Sequence, residues 1–400
     1  MFELFAALFL GMAVGVITGL LPGLHPNTLI PFFLALPFTL DPVSAVVMLV
    51  SAGVTNTFVN FIPSILIGAP EADSVMSVLP GHRLLLEGRG YEAIKLSVIG
   101  GLGATLFAIL SLPLFRLIVP EMYEFLRPHL WWILSIIVLY MLSSENRGMK
   151  RYALLTMLLS GILGLIVLNN FDSIMLFPML SGLFGVPLLL MSIRQKVSIP
   201  SNLGFDEHHL TKISQMSAII TGSLAGILAG LLPGVGSSQA SVMAQQITDR
   251  SNPEIAVRKF LIAVGGVNAS DFIYSLMALL LIGNPRSGIA VAIGQIISVD
   301  TNVMMVLIAA ILTTAGFSAY LTLKLSRGIL PFMRRLDYTR LCILTGIFIT
   351  SLVLLFSGLE GILVLVVAST IGMVPNLCNI RKSHAMGCLL IPTILFFAAL

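Results

Sequence analysis

The sequence predicts an all-α polytopic membrane protein in which one structural unit occurs twice, in opposite orientations. Three observations predict it. Of the 400 residues, 57% are hydrophobic and only 10% charged, with a mean hydropathy of +1.02; soluble domains carry about a quarter charged residues. Apolar stretches long enough to cross a bilayer recur along the chain, separated by short polar pieces. A pattern also returns: Gly15-Val-Ile-Thr-Gly19-Leu-Leu-Pro22-Gly23 matches Gly226-Ile-Leu-Ala-Gly230-Leu-Leu-Pro233-Gly234 at an offset of 211.

A second echo, Ile67-Gly68-Ala69-Pro70 against Ile282-Gly283-Asn284-Pro285, has an offset of 215, and the drift fits a short loop insertion. The first segment, residues 2–21, has no basic n-region and no A-x-A-like cleavage site, so it reads as a retained helix rather than a signal peptide. It enters the Leu-Leu-Pro-Gly loop. A short return helix follows, then a longer segment broken at Gly-x-Pro, then four spans near 93–119, 129–143, 151–169 and 173–192. Residues 1–192 thus form the first repeat, and the polar stretch 193–212 is a cytoplasmic linker. The second repeat, 213–400, keeps the same order, with spans near 301–324, 340–357, 361–376 and 384–400. About 10 to 14 membrane segments result. The stretch from Gly265 to Ser270 allows one bent span or two short ones.

The net charge of +4 does not point to nucleic acid, because the basic residues sit in short loops, where they set topology. The first 82 residues contain no Lys or Arg, whereas Arg83, Arg89 and Lys95 crowd the next loop, which is therefore cytoplasmic. Arg147, Lys150 and Arg151, then Arg194, Lys196 and Lys212, then Arg250, Arg258 and Lys259 mark further inside loops. The region from Lys324 to Arg340 and the pair Arg381 and Lys382 complete the set. Counting spans between them inverts the two Pro-Gly units and puts both termini outside the cell membrane. Cys342, Cys378 and Cys388 have spacings that suit neither a metal site nor a disulfide framework and read as packing residues.

Irregular backbone at membrane depth survives only where protein buries it or it lines a water-filled cavity, so matched helix breaks point to a transporter's binding site. Pro22-Gly23-Leu24-His25-Pro26-Asn27-Thr28 breaks the first hairpin, and Pro233-Gly234-Val235-Gly236-Ser237-Ser238-Gln239 the second. Asn27, Thr28, Ser237 and Ser238 are suited to N-capping, and two helix N-termini meeting at the midplane would hold an anion without a formal positive charge. A kink eased by hydroxyls is the structural alternative, and His25 serves equally as a carbonyl partner. The Gly-x-Pro breaks carry Glu71 and Asp73 in one half, Asn284 and Arg286 in the other; upstream lie Asn56 and Asn60, then Asn268 and Asp271. Arg286 either faces the anion or anchors the chain at the outer interface. Intramembrane ionisable groups are costly and usually functional, so Glu71, Asp73 and Asp271 are candidates for binding a coupling ion, H⁺ or Na⁺. Asn56, Asn268, Asn284 and Arg286 join the loop residues as candidate substrate contacts. No Walker loop, nucleophile elbow or HExxH motif is present, so no enzyme or cofactor is expected.

At these residues the chain resembles the large membrane subunit of the tripartite tricarboxylate transporter family. The resemblance rests on Gly15 to Gly23 with Gly226 to Gly234, on the basic loop Leu79-Pro80-Gly81-His82-Arg83 to Gly90, and on Pro253-Glu254 ahead of Gly265-Gly266-Val267-Asn268 and Gly283-Asn284-Pro285. It implies ion-coupled uptake of di- or tricarboxylates by secondary active transport, with a small membrane subunit and an external solute-binding protein as partners. The chain departs from the family in its compact length, in His25-Pro26-Asn27 and in Ser237-Ser238-Gln239. Two inverted Pro-Gly hairpins also look like the polyprenyl-phosphate transporters, where a lipid phosphate would occupy the same helix ends. A passive anion channel is the third reading.

Overall fold

A computed structural model describes residues 2–21, 41–66, 68, 74–171, 173–195, 210–231, 236–247, 252–282, 287–334, 338–378 and 380–399. All regular structure among them is helical, and eight helices are long and apolar enough to cross a membrane. The chain is an all-α polytopic membrane protein.

The first half runs α1 (Phe2–Leu20), α2 (Pro42–Val59), α3 (Phe61–Leu66), α4 (Val75–Leu86), α5 (Gly90–Leu126), α6 (Leu130–Ser143) and α7 (Lys150–Asn170). It ends in α8 (Leu176–Leu180), a π-turn (Ser181–Gly185) and α9 (Val186–Gln195). The second half runs α10 (Lys212–Leu231), α11 (Ser237–Ile247), α12 (Pro253–Ile282), α13 (Gly288–Ile296), α14 (Thr301–Arg334), α15 (Tyr338–Cys378) and α16 (Gly387–Ala398).

Several spans differ from the expected boundaries, each for a local reason. α5 and α14 run past the apolar stretches that define them, because a helix keeps its own backbone satisfied as it leaves the bilayer. The expected spans 340–357 and 361–376 do lie on either side of a break: α15 is two helices meeting at Gly358, whose φ of 62° and ψ of −157° only glycine adopts readily. The open question at Gly265 to Ser270 resolves as one continuous helix, α12.

Burial separates two spans from the rest. In Pro42–Leu66 and Pro253–Leu279, 94% and 89% of the most apolar stretch is buried, against 33–44% in the other six. The outer helices turn large apolar side chains outward, Leu110, Leu355 and Leu359 among them, as lipid contact requires.

Each central span is packed by a glycine stripe. A Cβ on Gly15 would lie 2.6 Å from the Thr55 Cβ, and one on Gly19 would lie 2.8 Å from the Val59 Cβ, so α1 runs parallel to α2 at close range. α10 lies on α12 in the same way: a Cβ on Gly226 would lie 3.0 Å from the Ser270 Cβ, and one on Gly230 2.6 Å from the Tyr274 Cβ. The glycines are 211 residues apart and their partners 215, the two offsets of the sequence echo. Small residues let backbones approach where lipid supplies no hydrophobic drive between helices.

The central helices then pair across the halves. α2 runs beside α14, with Ser51 Oγ 3.1 Å from Thr314 Oγ1 and Thr55 Oγ1 2.9 Å from Ser318 Oγ. α12 runs beside α5, with glycines at the contact: a Cβ on Gly265 would lie 2.7 Å from the Ser97 carbonyl carbon.

Arg83, Arg89, Arg258, Arg327 and Arg381, from segments expected on the inside, lie at one end. Arg258 Nε lies 2.8 Å from Glu92 Oε1, and Arg89 Nη2 2.7 Å from Glu92 Oε2. The Arg327 guanidinium stacks on the Tyr91 ring at 4.9 Å, and Arg381 donates its backbone N–H to Glu145 at 3.1 Å. Asp41 and Asp300, which cap α2 and α14, start those parallel helices at the far end.

Candidate functional site

The residues Asn56, Asn60, Asn268 and Asp271 all lie in Pro42–Leu66 and Pro253–Leu279, the two most buried spans, with Asn60 at the C-terminal cap of α2. Polar groups there face protein, so each needs a partner. Asn56, 1% exposed, donates its amide to Thr18 Oγ1 on α1 at 3.3 Å. Thr18 sends its own hydrogen back into its helix, toward the carbonyls of Val14 and Gly15, which leaves its lone pairs for Asn56. Asn268 crosses to the other half, donating to the Thr57 carbonyl at 3.1 Å and to Asn60 Oδ1 at 3.4 Å.

Asp271 sits where both flanks of the second hairpin loop arrive. A Cβ on Gly230, at the end of α10, would lie 2.7 Å from the Asp271 carbonyl oxygen. From the other flank Ser237, the first residue of α11, donates its hydroxyl to Asp271 Oδ2. The expected capping role of Ser237 is corrected: its hydroxyl reaches across to α12, and the contact that closes this helix end is Gly236 N–H to Gln239 Oε1 at 3.0 Å. The side chain three residues into the helix thus reaches back, the outer half of a capping box. Ser238, 3% exposed, lies in the same buried turn.

Two buried donors beside the ends of α1 and α10 have no hydrogen-bond partner among the described residues: Asn60 Nδ2 and Ser275 Oγ, each 1% exposed. They are 215 residues apart and occupy matching places. A Cβ on Gly19 would lie 3.2 Å from the Asn60 backbone nitrogen, and one on Gly230 2.9 Å from the Ser275 backbone nitrogen. A buried donor left open is costly. A pair of them beside two helix ends suits a ligand oxygen.

Of the expected site residues, Pro22, Gly23, His25, Asn27, Thr28, Glu71, Asp73, Pro233, Gly234, Asn284 and Arg286 lie outside the described residues. Gly236, Ser237, Ser238, Asn56, Asn268 and Asp271 are described, and Ser237 meets Asp271 directly. Thr18, Thr57 and Ser275 were not expected; a hydroxyl or carbonyl in an apolar helix gives no sequence signal, because membrane helices commonly back-bond Ser and Thr to their own carbonyls. No group of three or more His, Cys, Asp or Glu able to hold a metal occurs among the described residues.

The arrangement offers neutral donors for an anion and one carboxylate for a proton or a cation. No solved structure matches the chain. An uncharacterized protein of Methanocaldococcus jannaschii is 31% identical over 402 residues, covering 98% of each chain. The family described as tripartite tricarboxylate transporter TctA matches residues 5–387. With nearly the whole chain matched, and with eight long apolar helices among the described residues, this protein belongs to the tripartite tricarboxylate transporter TctA family and is a multi-pass membrane transport protein.

Proposed function

We propose that the chain is the permease of a secondary active transporter that moves a small di- or tricarboxylate across the cell membrane by alternating access. Two inverted units, residues 1–192 and 213–400, rock against each other around the polar centre, with both termini outside. Matching contacts at offsets of 211 and 215, and the position of Arg83, Arg89, Arg258, Arg327 and Arg381 at one end, support this reading.

The observation that carries it is the hydrogen bond from Ser237, in the first turn of α11, to Asp271 on α12. α11 presents its N-terminal N–H groups at this point, and they favour an anion. Asp271 repels that anion unless it holds H⁺ or Na⁺. Loading the cation and loading the substrate therefore favour each other, which is symport in electrostatic terms. Asn60 and Ser275 supply neutral donors, which leaves net charge low enough for the loaded site to cross. A small membrane subunit and an external solute-binding protein, as in a tripartite system, would deliver substrate at the face opposite the basic loops.

Uptake of labelled di- and tricarboxylates into proteoliposomes, with and without imposed H⁺ and Na⁺ gradients, tests this. Gradient-driven uptake is expected for at least one carboxylate, and Asp271→Asn is expected to abolish the gradient dependence while substrate binding persists. Binding of a polyprenyl phosphate with no carboxylate uptake would replace this reading with a lipid carrier's, and uptake indifferent to both gradients would leave a passive channel.

A further inference from the structure

A cavity of about 970 Å³ opens at the basic end of the bundle. Its walls come from both halves: Val75 and Met76 on α4, Val257 and Phe260 on α12. Arg83, Glu87, Arg381 and Lys382 line it as charged groups, three positive against one negative. Two of the three positive groups are already paired, Arg83 with Glu87 at 3.1 Å and Arg381 with Glu145 at 3.7 Å. Lys382 is half-buried and has no hydrogen bond or ion pair among the described residues. Burial pushes its ammonium below the ordinary lysine value. An unpaired, partly desolvated cation on an apolar cavity costs free energy that an anion would recover.

One helix carries residues of both the cavity and the candidate site. Gln245 and Gln246 line it from the last turn of α11, and Ser237 opens the first turn of that same helix. Eight residues at 1.5 Å each separate Ser237 from Gln245, about 12 Å. One short helix thus spans the distance between cavity and polar centre.

We infer that this cavity is the cytoplasmic vestibule of the transport path, in which a small organic anion docks with a carboxylate on Lys382 and its carbon skeleton against Val257 and Phe260. The inference rests on the transport reading above for the identity of the anion, but not for the accessibility and charge of the cavity. Lys382 draws the anion in, and the pairing of Arg83 and Arg381 keeps the field weak enough for release.

The test replaces Cys342, Cys378 and Cys388 by alanine, introduces Val257→Cys or Ala256→Cys, and follows reaction with membrane-impermeant methanethiosulfonates of opposite charge in vesicles of both orientations. The new cysteine is expected to react from the cytoplasmic face, with a preference for the anionic reagent. Lys382→Gln is expected to slow the anionic reagent about three- to fivefold and to speed the cationic one by about the same factor, the effect of one unit charge at roughly 5 Å in a water-like dielectric. Citrate is expected to slow the reaction in the parent and not in Lys382→Gln. The proposal falls if both cysteines are unreactive from the cytoplasmic face, if Lys382→Gln leaves the reagent preference unchanged, or if citrate gives no protection. Protection by inorganic phosphate alone overturns the organic-anion assignment. Citrate protection without gradient-driven uptake would sustain the vestibule while refuting the transport mechanism.

Discussion

Gly265→Ala probes the contact on which the centre of the bundle depends. α12 meets α5 backbone to backbone: a Cβ on Gly265 would lie 2.7 Å from the Ser97 carbonyl carbon and 2.9 Å from its Cα. From the other side, a Cβ on Gly100 would lie 2.7 Å from the Ile262 carbonyl carbon and 3.0 Å from the Gly266 nitrogen. No side chain can swing away to make room, so the helices themselves must part by roughly 0.7 Å or more to restore ordinary contact near 3.4 Å. Overpacking of this kind costs about 1–3 kcal/mol. The same displacement stretches the 2.8 Å pair between Arg258 and Glu92 at the basic end of the interface, which places the expected loss at the upper part of that range. Gly316 is the control: it lies on the exposed face of α14, and a Cβ there would meet nothing within 4 Å. Gly316→Ala gains about 0.5–1 kcal/mol from helix propensity alone. At about 2 °C per kcal/mol, thermal unfolding of the purified protein in mild detergent should fall by about 4–6 °C for Gly265→Ala and rise by about 1–2 °C for Gly316→Ala. A Gly265→Ala protein melting within 1 °C of the parent, or a Gly316→Ala protein that loses as much, would refute the close-contact argument.

Arg258, 3% exposed, shares Glu92 with Arg89, so Arg258→Gln leaves a buried carboxylate only partly compensated and should cost about 2–4 kcal/mol in the same melting assay. Adding Glu92→Gln should recover part of that loss; a strictly additive double variant would show that the pair is not coupled. For Glu145, in the turn after α6, burial raises the carboxyl, but the Arg381 backbone N–H, the His384 ring and the charges of His384 and Arg381 outweigh it and hold the group below its ordinary value of about 4.5. Its contribution to stability is therefore present above that value and is lost as the pH falls through the lower folded value. Melting temperature measured from pH 6 downward should drop more steeply for the parent than for Glu145→Gln, and parallel acid limbs would remove Glu145 from that role.

What the sequence revealed and what it hid follow from the same chemistry. Gly15 and Gly19 with Gly226 and Gly230 stood out because close helix contact leaves no room for other side chains at those places. The basic loops stood out because Arg83, Arg258 and Arg381 are rare in so apolar a chain, and the structure gathers them at one end. The pairing of α2 with α14 was invisible, since a hydroxyl such as Ser51 or Thr314 reads the same whether it serves its own helix or a neighbour. The lining of the cavity was equally hidden, because ordinary apolar residues such as Val257 form it. The most informative residue is one the repeat itself singles out. Position 271 lies 215 residues after 56, so Asp271 occupies the place in the second half that Asn56 holds in the first. Asn56 is satisfied by a threonine within its own half, at 3.3 Å, while Asp271 takes a hydroxyl from the turn that opens α11. A two-fold site with matched residues would carry two carboxylates or none at this level. Two would repel a carboxylate substrate too strongly for one bound cation to offset, and none would give a gradient nothing to act on. One carboxylate, placed beside a helix N-terminus, is the arrangement in which a single cation changes the affinity for the anion, and on the proposed mechanism this assigns ion coupling at this level to the second half of the chain.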